Sequence, residues 1–256
     1  MKNLQNKIVL ITGASSGIGL ACATAFAREG ATLILVARRV ERLQPLAEKL
    51  KKEFDVAVHL DKLDVRDNNA VTTFITGLPT EFSAIDILVN NAGLSRGFDP
   101  VQNGNLQDWD EMIDTNVKGL LYVTRAVLQG MLTRNNGHII NIGSIAGHQV
   151  YPNGNVYCAS KFAVRALSQG LMMETVNTPL RVSTVDPGMV ETEFSIVRYH
   201  GDSERAASTY KGLTPLSAED IADSVLFVAS RPPHANIAEL VILPTDQASV
   251  YHSYRR

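Results

Sequence analysis

Seven short apolar runs of β character recur along the chain at 7–11, 32–36, 56–60, 85–90, 137–142, 181–185 and 240–243, and amphipathic helical patterns fill the intervals. This recurrence limits the fold more than any other feature. Continuous apolar runs belong to strands covered on both faces, and strands alternating with helices pair in parallel through right-handed crossovers. The expected architecture is α/β: a single doubly wound domain spanning 1–256, with a parallel sheet of about seven strands. At 256 residues the chain is long enough to bury one large core, and no linker, repeat or low-complexity tract divides it.

The first run leads directly into Thr12-Gly13-Ala14-Ser15-Ser16-Gly17-Ile18-Gly19 and then an alanine-rich helical segment. Glycines 13, 17 and 19 let the backbone turn tightly and come close to a diphosphate, while the helix start offers free N–H groups. The spacing is GxxxGxG and not the GxGxxG of the common dinucleotide fingerprint, so the loop in isolation reads equally as a flexible glycine turn. In parallel α/β folds ligands bind outside the carboxyl ends of the strands, where distant segments converge. Arg38-Arg39, Asp64-Val65, Asn90 to Gly93, Ser144 and Pro187-Gly188 follow successive runs. An arginine pair at the end of the second run suits a 2′-phosphate, where an NAD site would offer an acidic residue. Its bland alternative is a solvated basic pair at a helix start.

Tyr157 and Lys161, in Tyr157-Cys158-Ala159-Ser160-Lys161, are spaced to share one helix face a turn apart. A cation beside a phenol stabilises the phenolate, and a tuned phenol suits reversible alcohol and ketone chemistry.

TGASSGIG, Asn90-Asn91-Ala92-Gly93, Asn116, Ser144, Tyr157-x-x-x-Lys161 and Pro187-Gly188 occur in an order that resembles the short-chain dehydrogenase/reductase family over nearly the whole chain. The segment Val190-Glu191-Thr192-Glu193-Phe194-Ser195-Ile196-Val197-Arg198-Tyr199-His200-Gly201-Asp202 and Leu243 to Ser249 resemble its NADP-dependent 3-hydroxy acid dehydrogenases, also described as serine or L-allo-threonine dehydrogenases. The resemblance implies a Rossmann fold with Tyr157, Lys161, Ser144 and Asn116 as the catalytic set: Tyr157 exchanges a proton, Ser144 orients the substrate oxygen, Lys161 lowers the phenol's pKa and holds the nicotinamide ribose, and Asn116 holds a water joined to Lys161. It places NADP against Gly13, Ser15, Ser16, Gly17, Ile18 and Gly19. Arg38 and Arg39 receive the 2′-phosphate, Asp64 and Val65 the adenine, and Asn91, Ala92 and Gly93 flank the ribose. Pro187, Gly188, Val190 and Thr192 hold the carboxamide. The polar segment 190–212 reads as a substrate lid, and Arg198 and His200 within it are candidate cations for a substrate carboxylate.

The implied activity is hydride transfer between NADP and the 3-hydroxyl carbon of small acids such as serine, L-allo-threonine, 3-hydroxybutyrate or 3-hydroxyisobutyrate. Reduction of 3-oxoacyl thioesters or other ketones and aldehydes would use the same residues, and a non-catalytic NADP sensor is the reading from another class. A homotetramer is implied, packed through helices expected at 108–134 and 156–175. A net charge of −2 gives no field for nucleic acid or an anionic membrane. The absence of a long apolar run leads to the expectation of a cytoplasmic protein. The two cysteines, Cys22 and Cys158, form neither a CxxC motif nor a metal set, so no metal is expected. Cys158 beside Tyr157 is expected to confer sensitivity to alkylating reagents.

Overall fold

The computed structural model describes residues 4–256. Seven strands form one parallel sheet in the order β3-β2-β1-β4-β5-β6-β7. They are β1 (Ile8–Thr12), β2 (Thr32–Ala37), β3 (Val58–Lys62), β4 (Ile87–Asn90), β5 (His138–Ile142), β6 (Arg181–Pro187) and β7 (Glu239–Ile242). Side chains alternate across the pleat and feed two cores. Val9, Ile11, Leu33 and Leu35 pack with α1 (Gly17–Arg28), α2 (Val40–Phe54) and α9 (Ala218–Ala229). Leu10, Ile34, Val36 and Leu88 pack on the other face with α3 (Asn68–Thr76) and α5 (Leu120–Arg134). The remaining helices are α4 (Leu106–Ile113), α6 (Asn155–Glu174), α7 (Phe194–Arg198) and α8 (Ser203–Ser208).

The third strand begins two residues later than its apolar run, because β3 is the sheet edge and its end, Asp61-Lys62, lies exposed. An edge strand tolerates polar ends that a buried strand would not. The helix expected over 108–134 is broken into α4, a π turn over Asp114–Gly119, and α5. Its cause lies in the packing: Gly119 sits so close to Val65 that an added Cβ would fall 2.6 Å from Val65 Cγ2, while the side chain of Asn116 is turned inward and buried. π turns of this kind recur at functional sites.

The chain order reverses between β1 and β4, the neighbours on either side of the sheet's centre. That switch point opens a crevice at the carboxyl ends of the strands. A buried network reinforces it from beneath: Asn90 Nδ2 donates to Thr124 Oγ1 and Asn141 Oδ1, each at 2.9 Å, and Asn141 Nδ2 donates to Ser168 Oγ at 2.8 Å. Among the described residues, no helix is long and apolar enough to cross a membrane, and no group of His, Cys, Asp and Glu is placed to hold a metal ion.

Candidate active site

The crevice is a cleft of about 470 Å³, and every residue expected to hold the cofactor lines it except Gly19. Gly19 lies just behind the wall, where a Cβ would come within 2.4 Å of Asn91 Nδ2 and 2.5 Å of the Gly13 carbonyl oxygen. Asn91 is the clasp of this loop. Its Nδ2 donates to the carbonyls of Thr12 (2.9 Å) and Gly13 (3.2 Å), and Thr12 Oγ1 accepts the backbone N–H groups of Asn91 and Ala92 at 3.0 Å. Gly13 takes a φ of +67°, which favours glycine. Ser16 stands at the N-cap of α1 without capping it through its side chain, and the first turn has no acidic residue. The helix therefore presents uncapped N–H groups and an uncompensated positive end.

Both arginines of the β2 end are already paired with carboxylates. Arg38 Nη1 donates to Glu111 Oε1 at 3.1 Å, and Arg39 donates to Glu193 Oε2 at 3.1 and 3.2 Å and to Ser16 Oγ at 3.0 Å. Asp64 is gripped by Arg66 through contacts of 2.6 to 3.1 Å, which hold its carboxyl below the usual range. Across the cleft, Thr192 rests over Gly17, 3.3 Å from where a Cβ would project. The Pro187-Gly188 turn is braced from the C-terminal segment, where Gln247 Oε1 accepts the Met189 N–H at 2.9 Å.

Tyr157 and Lys161 lie on α6 as their spacing requires, both buried, with Ser144 at the end of β5 beside them. Lys161 Nζ donates to the Ile142 carbonyl at 2.8 Å and stands 6.0 Å from the Tyr157 ring centroid. Burial pushes the lysine down to about 8, opposed by the charge of Asp186. Burial raises the Tyr157 phenol, and the Arg198 guanidinium and Ser144 hydroxyl pull it back. Arg198 is thus the nearer of two cations beside the phenol ring, and Lys161 stands a little further off with its ammonium on the Ile142 carbonyl. Asn116 lies behind the cleft wall: its Oδ1 accepts the Leu94 N–H (2.9 Å) and its Nδ2 donates to the Leu94 carbonyl (2.8 Å) and Ser160 Oγ (3.0 Å).

The lid segment forms α7 and α8 and is docked: Gly97 N–H donates to the Arg198 carbonyl at 3.0 Å, and Arg96 Nη1 to the Val197 carbonyl at 2.9 Å. Arg198 packs its guanidinium 5.3 Å from the Tyr157 ring centroid and 5.0 Å from that of Phe194. Its Nη2 donates to Tyr151 Oη at 3.1 Å, and its buried Nε has no partner. His200 is brought elsewhere, its Nε2 2.9 Å from Asp108 Oδ2, and neither it nor Arg198 lines the cleft. Cys158 is fully buried with a raised thiol, so the alkylation sensitivity expected of it has no exposed thiolate behind it. Arg96 and Glu111 have no motif around them and leave no sequence signal, while Glu193 lies within the segment 190–202 without being singled out by it.

The site therefore has a glycine floor at a bare helix end, an arginine-bearing end, and a buried phenol, hydroxyl and amine at the other. Residues 7–201 match the short chain dehydrogenase family, and the chain belongs to it. It is 44% identical over 257 residues to the NADP-dependent 3-hydroxy acid dehydrogenase of Schizosaccharomyces pombe, covering 100% of this chain and 99% of that protein. It is 47% identical over 245 residues to sulfoacetaldehyde reductase 2 of Chromohalobacter salexigens, covering 95% and 96%. Among solved structures, the closed form of serine dehydrogenase complexed with NADP+ superposes with a TM-score of 0.91 at 44% identity, covering 97% of this chain and 99% of that one.

Proposed function

We propose that this chain is an NADP-dependent oxidoreductase that interconverts small 3-hydroxy acids, among them serine, L-allo-threonine, 3-hydroxybutyrate and 3-hydroxyisobutyrate, with their 3-oxo forms. The observation that carries this reading is the meeting of buried Tyr157, Ser144 and Lys161 in the wall of one cleft with the glycine loop and Arg38-Arg39, with the half-unpaired Arg198 against the Tyr157 ring. The residues fit the cofactor. A bare α1 terminus suits the diphosphate, the floor beside it is too close for any side chain at Gly19, and Arg38 and Arg39 suit the 2′-phosphate.

When bound, the cofactor supplies the hydride acceptor or donor. The protein holds the substrate hydroxyl between Ser144 and Tyr157, and Tyr157 takes its proton as the carbon is oxidised. Ser144 stabilises charge growing on the oxygen, and the Lys161 ammonium favours the phenolate. Reduction reverses these steps. Oxidised serine is a 3-oxo acid prone to decarboxylation, which needs no further catalytic residue. Asn116, bonded through its side chain to Leu94 and Ser160, keeps the π turn folded beside Lys161, and both its amide hydrogens are thereby taken.

Arg198 is the first candidate for the substrate carboxylate, reached when α7 swings and the guanidinium exchanges Tyr151 for the acid. His200, tied to Asp108, is the second. The acids should be oxidised with NADP and their methyl esters poorly. Arg198→Ala should raise KM for the acids about tenfold to a hundredfold, the loss of one charge-assisted bond, with a smaller effect on neutral alcohols. Equal treatment of acids and esters by both enzymes would remove carboxylate recognition from the proposal. The sulfoacetaldehyde reductase relative supports a second reading, in which the recognised anion is a sulfonate. A small 2-oxo sulfonate assayed beside the carboxylic acids separates the two. We further infer a cytoplasmic homotetramer, with α5 and α6 at the subunit contacts, because Leu121, Leu132, Phe162 and Met173 on these helices are exposed.

A further inference from the structure

Asp186, the penultimate residue of β6, is 2% exposed, and its carboxylate is built into the site from below. Its Oδ2 is 2.9 Å from His148 Nε2 and accepts the Thr184 hydroxyl at 2.9 Å. Its Oδ1 lies against the Cα of Gly143, where an added Cβ would be 1.7 Å away, so that position admits glycine alone. Gly143 separates Ile142, whose carbonyl receives the Lys161 ammonium, from Ser144. His148 closes the turn that Ser144 opens: Ser144 caps the short helical turn Ile145–Gly147, and His148 is its last flanking residue. The same turn packs on α6, since a Cβ on Gly147 would come within 2.8 Å of the Lys161 carbonyl oxygen. One carboxylate thus touches the strand end that carries both the lysine's acceptor and the serine.

We propose that Asp186, held by His148, is a positioning residue for the catalytic pair: wedged against Gly143 and bonded to His148, it fixes the strand end that seats the Lys161 ammonium on the Ile142 carbonyl and the turn that carries Ser144. This rests on the reading of Lys161 as the cation that favours the Tyr157 phenolate. The ionisable groups facing Asp186 are few. Lys161 and Arg165 approach from α6, His148 from the turn after β5 and Glu239 from β7, and Glu239 is itself neutralised by Arg165 at 2.8 and 3.0 Å. Burial raises the Asp186 carboxyl, the His148 and Thr184 hydrogen bonds pull it back toward the charged form, and that charge opposes the burial that weakens the Lys161 ammonium. Removing that charge should therefore lower the pH at which Lys161 loses its proton.

The test uses the full-length protein with 13C-labelled lysine, following the Lys161 Cε resonance against pH by NMR. Asp186→Asn keeps an acceptor for Thr184 and His148 while removing the charge, and should lower the Lys161 midpoint by roughly one pH unit, the effect of losing a close opposite charge. The alkaline limb of the kcat–pH profile should move down with it. His148→Gln keeps a donor and leaves the carboxylate charged, so its midpoint should match wild type. Asp186→Ser makes the same charge deletion should the Asn variant fail to fold. An unmoved midpoint in a folded Asp186 variant overturns the proposal, as does an equal shift in His148→Gln. A moved midpoint with an unmoved alkaline limb overturns the reading of Lys161 on which it rests.

Discussion

At the scale of single residues, the site divides into side chains that act and side chains that hold. Tyr157 is the clearest of the first kind, buried with its ring against both Phe194 and Arg198. Its oxygen is the sole part lost in Tyr157→Phe, so the packing survives and the glycine floor across the cleft is untouched. Turnover in that variant should fall by roughly a hundredfold or more, the usual worth of a positioned acid or base, while NADP affinity measured by fluorescence titration stays near wild type. A well-folded variant that binds NADP and turns over normally would show that another group moves the proton. The acting residues were legible in the sequence because Tyr157 and Lys161 share a helical spacing and Ser144 follows an apolar strand run. The holding residues were not. Asp186 and Thr12 lie inside apolar strands, and Glu111 and Glu193 become visible as partners of Arg38 and Arg39 once α4 and the lid are folded against β2. Pairing of this kind depends on three-dimensional proximity that no local spacing encodes.

At the scale of elements, strand existence and parallel pairing followed from apolar runs alternating with helices, and the π turn did not, since it depends on Asn116 turning inward onto Leu94 and Ser160 from distant elements. The strands also bury polar groups whose cost appears on acidification. His138 opens β5 and is 2% exposed; its Nε2 lies 2.8 Å from Ser183 Oγ on β6, and its Nδ1 has no partner. Burial, aided by the charge of Arg181, lowers its pKa from 6.5 to about 3. A group whose folded pKa is depressed binds more protons when unfolded, so its contribution is whole above its ordinary value and is lost as pH falls toward the folded one. Stability should decline between pH 6.5 and 5 with a slope of at most about 1.4 kcal/mol per pH unit, before the paired carboxylates titrate. His138→Asn should flatten the fall in thermal midpoint across this window; an unchanged slope would assign the acid sensitivity to other groups.

At the scale of the whole molecule, the catalytic cleft and the expected subunit contacts share α6, used from opposite sides. α6 turns Tyr157 and Lys161 inward and leaves Phe162 and Met173 outside, and α5 buries Val123, Val127 and Met131 while exposing Leu121 and Leu132. Multi-angle light scattering should give the mass of four 27.9 kDa chains at micromolar concentration. A monomer across a wide concentration range would instead leave those apolar side chains without a covering partner. The π turn between α4 and α5 sets how these two faces of α5 are aimed. Each residue in a helix advances the side chains by about 100°, so chain length through 114–119 acts as a phase setting for everything downstream. Shortening it by one residue would leave every motif intact and regularise the helix, yet would rotate Val123 and Met131 off the sheet or pull Asn116 away from Leu94. This stretch can therefore accept substitution at exposed Lys118 far more readily than a change in length.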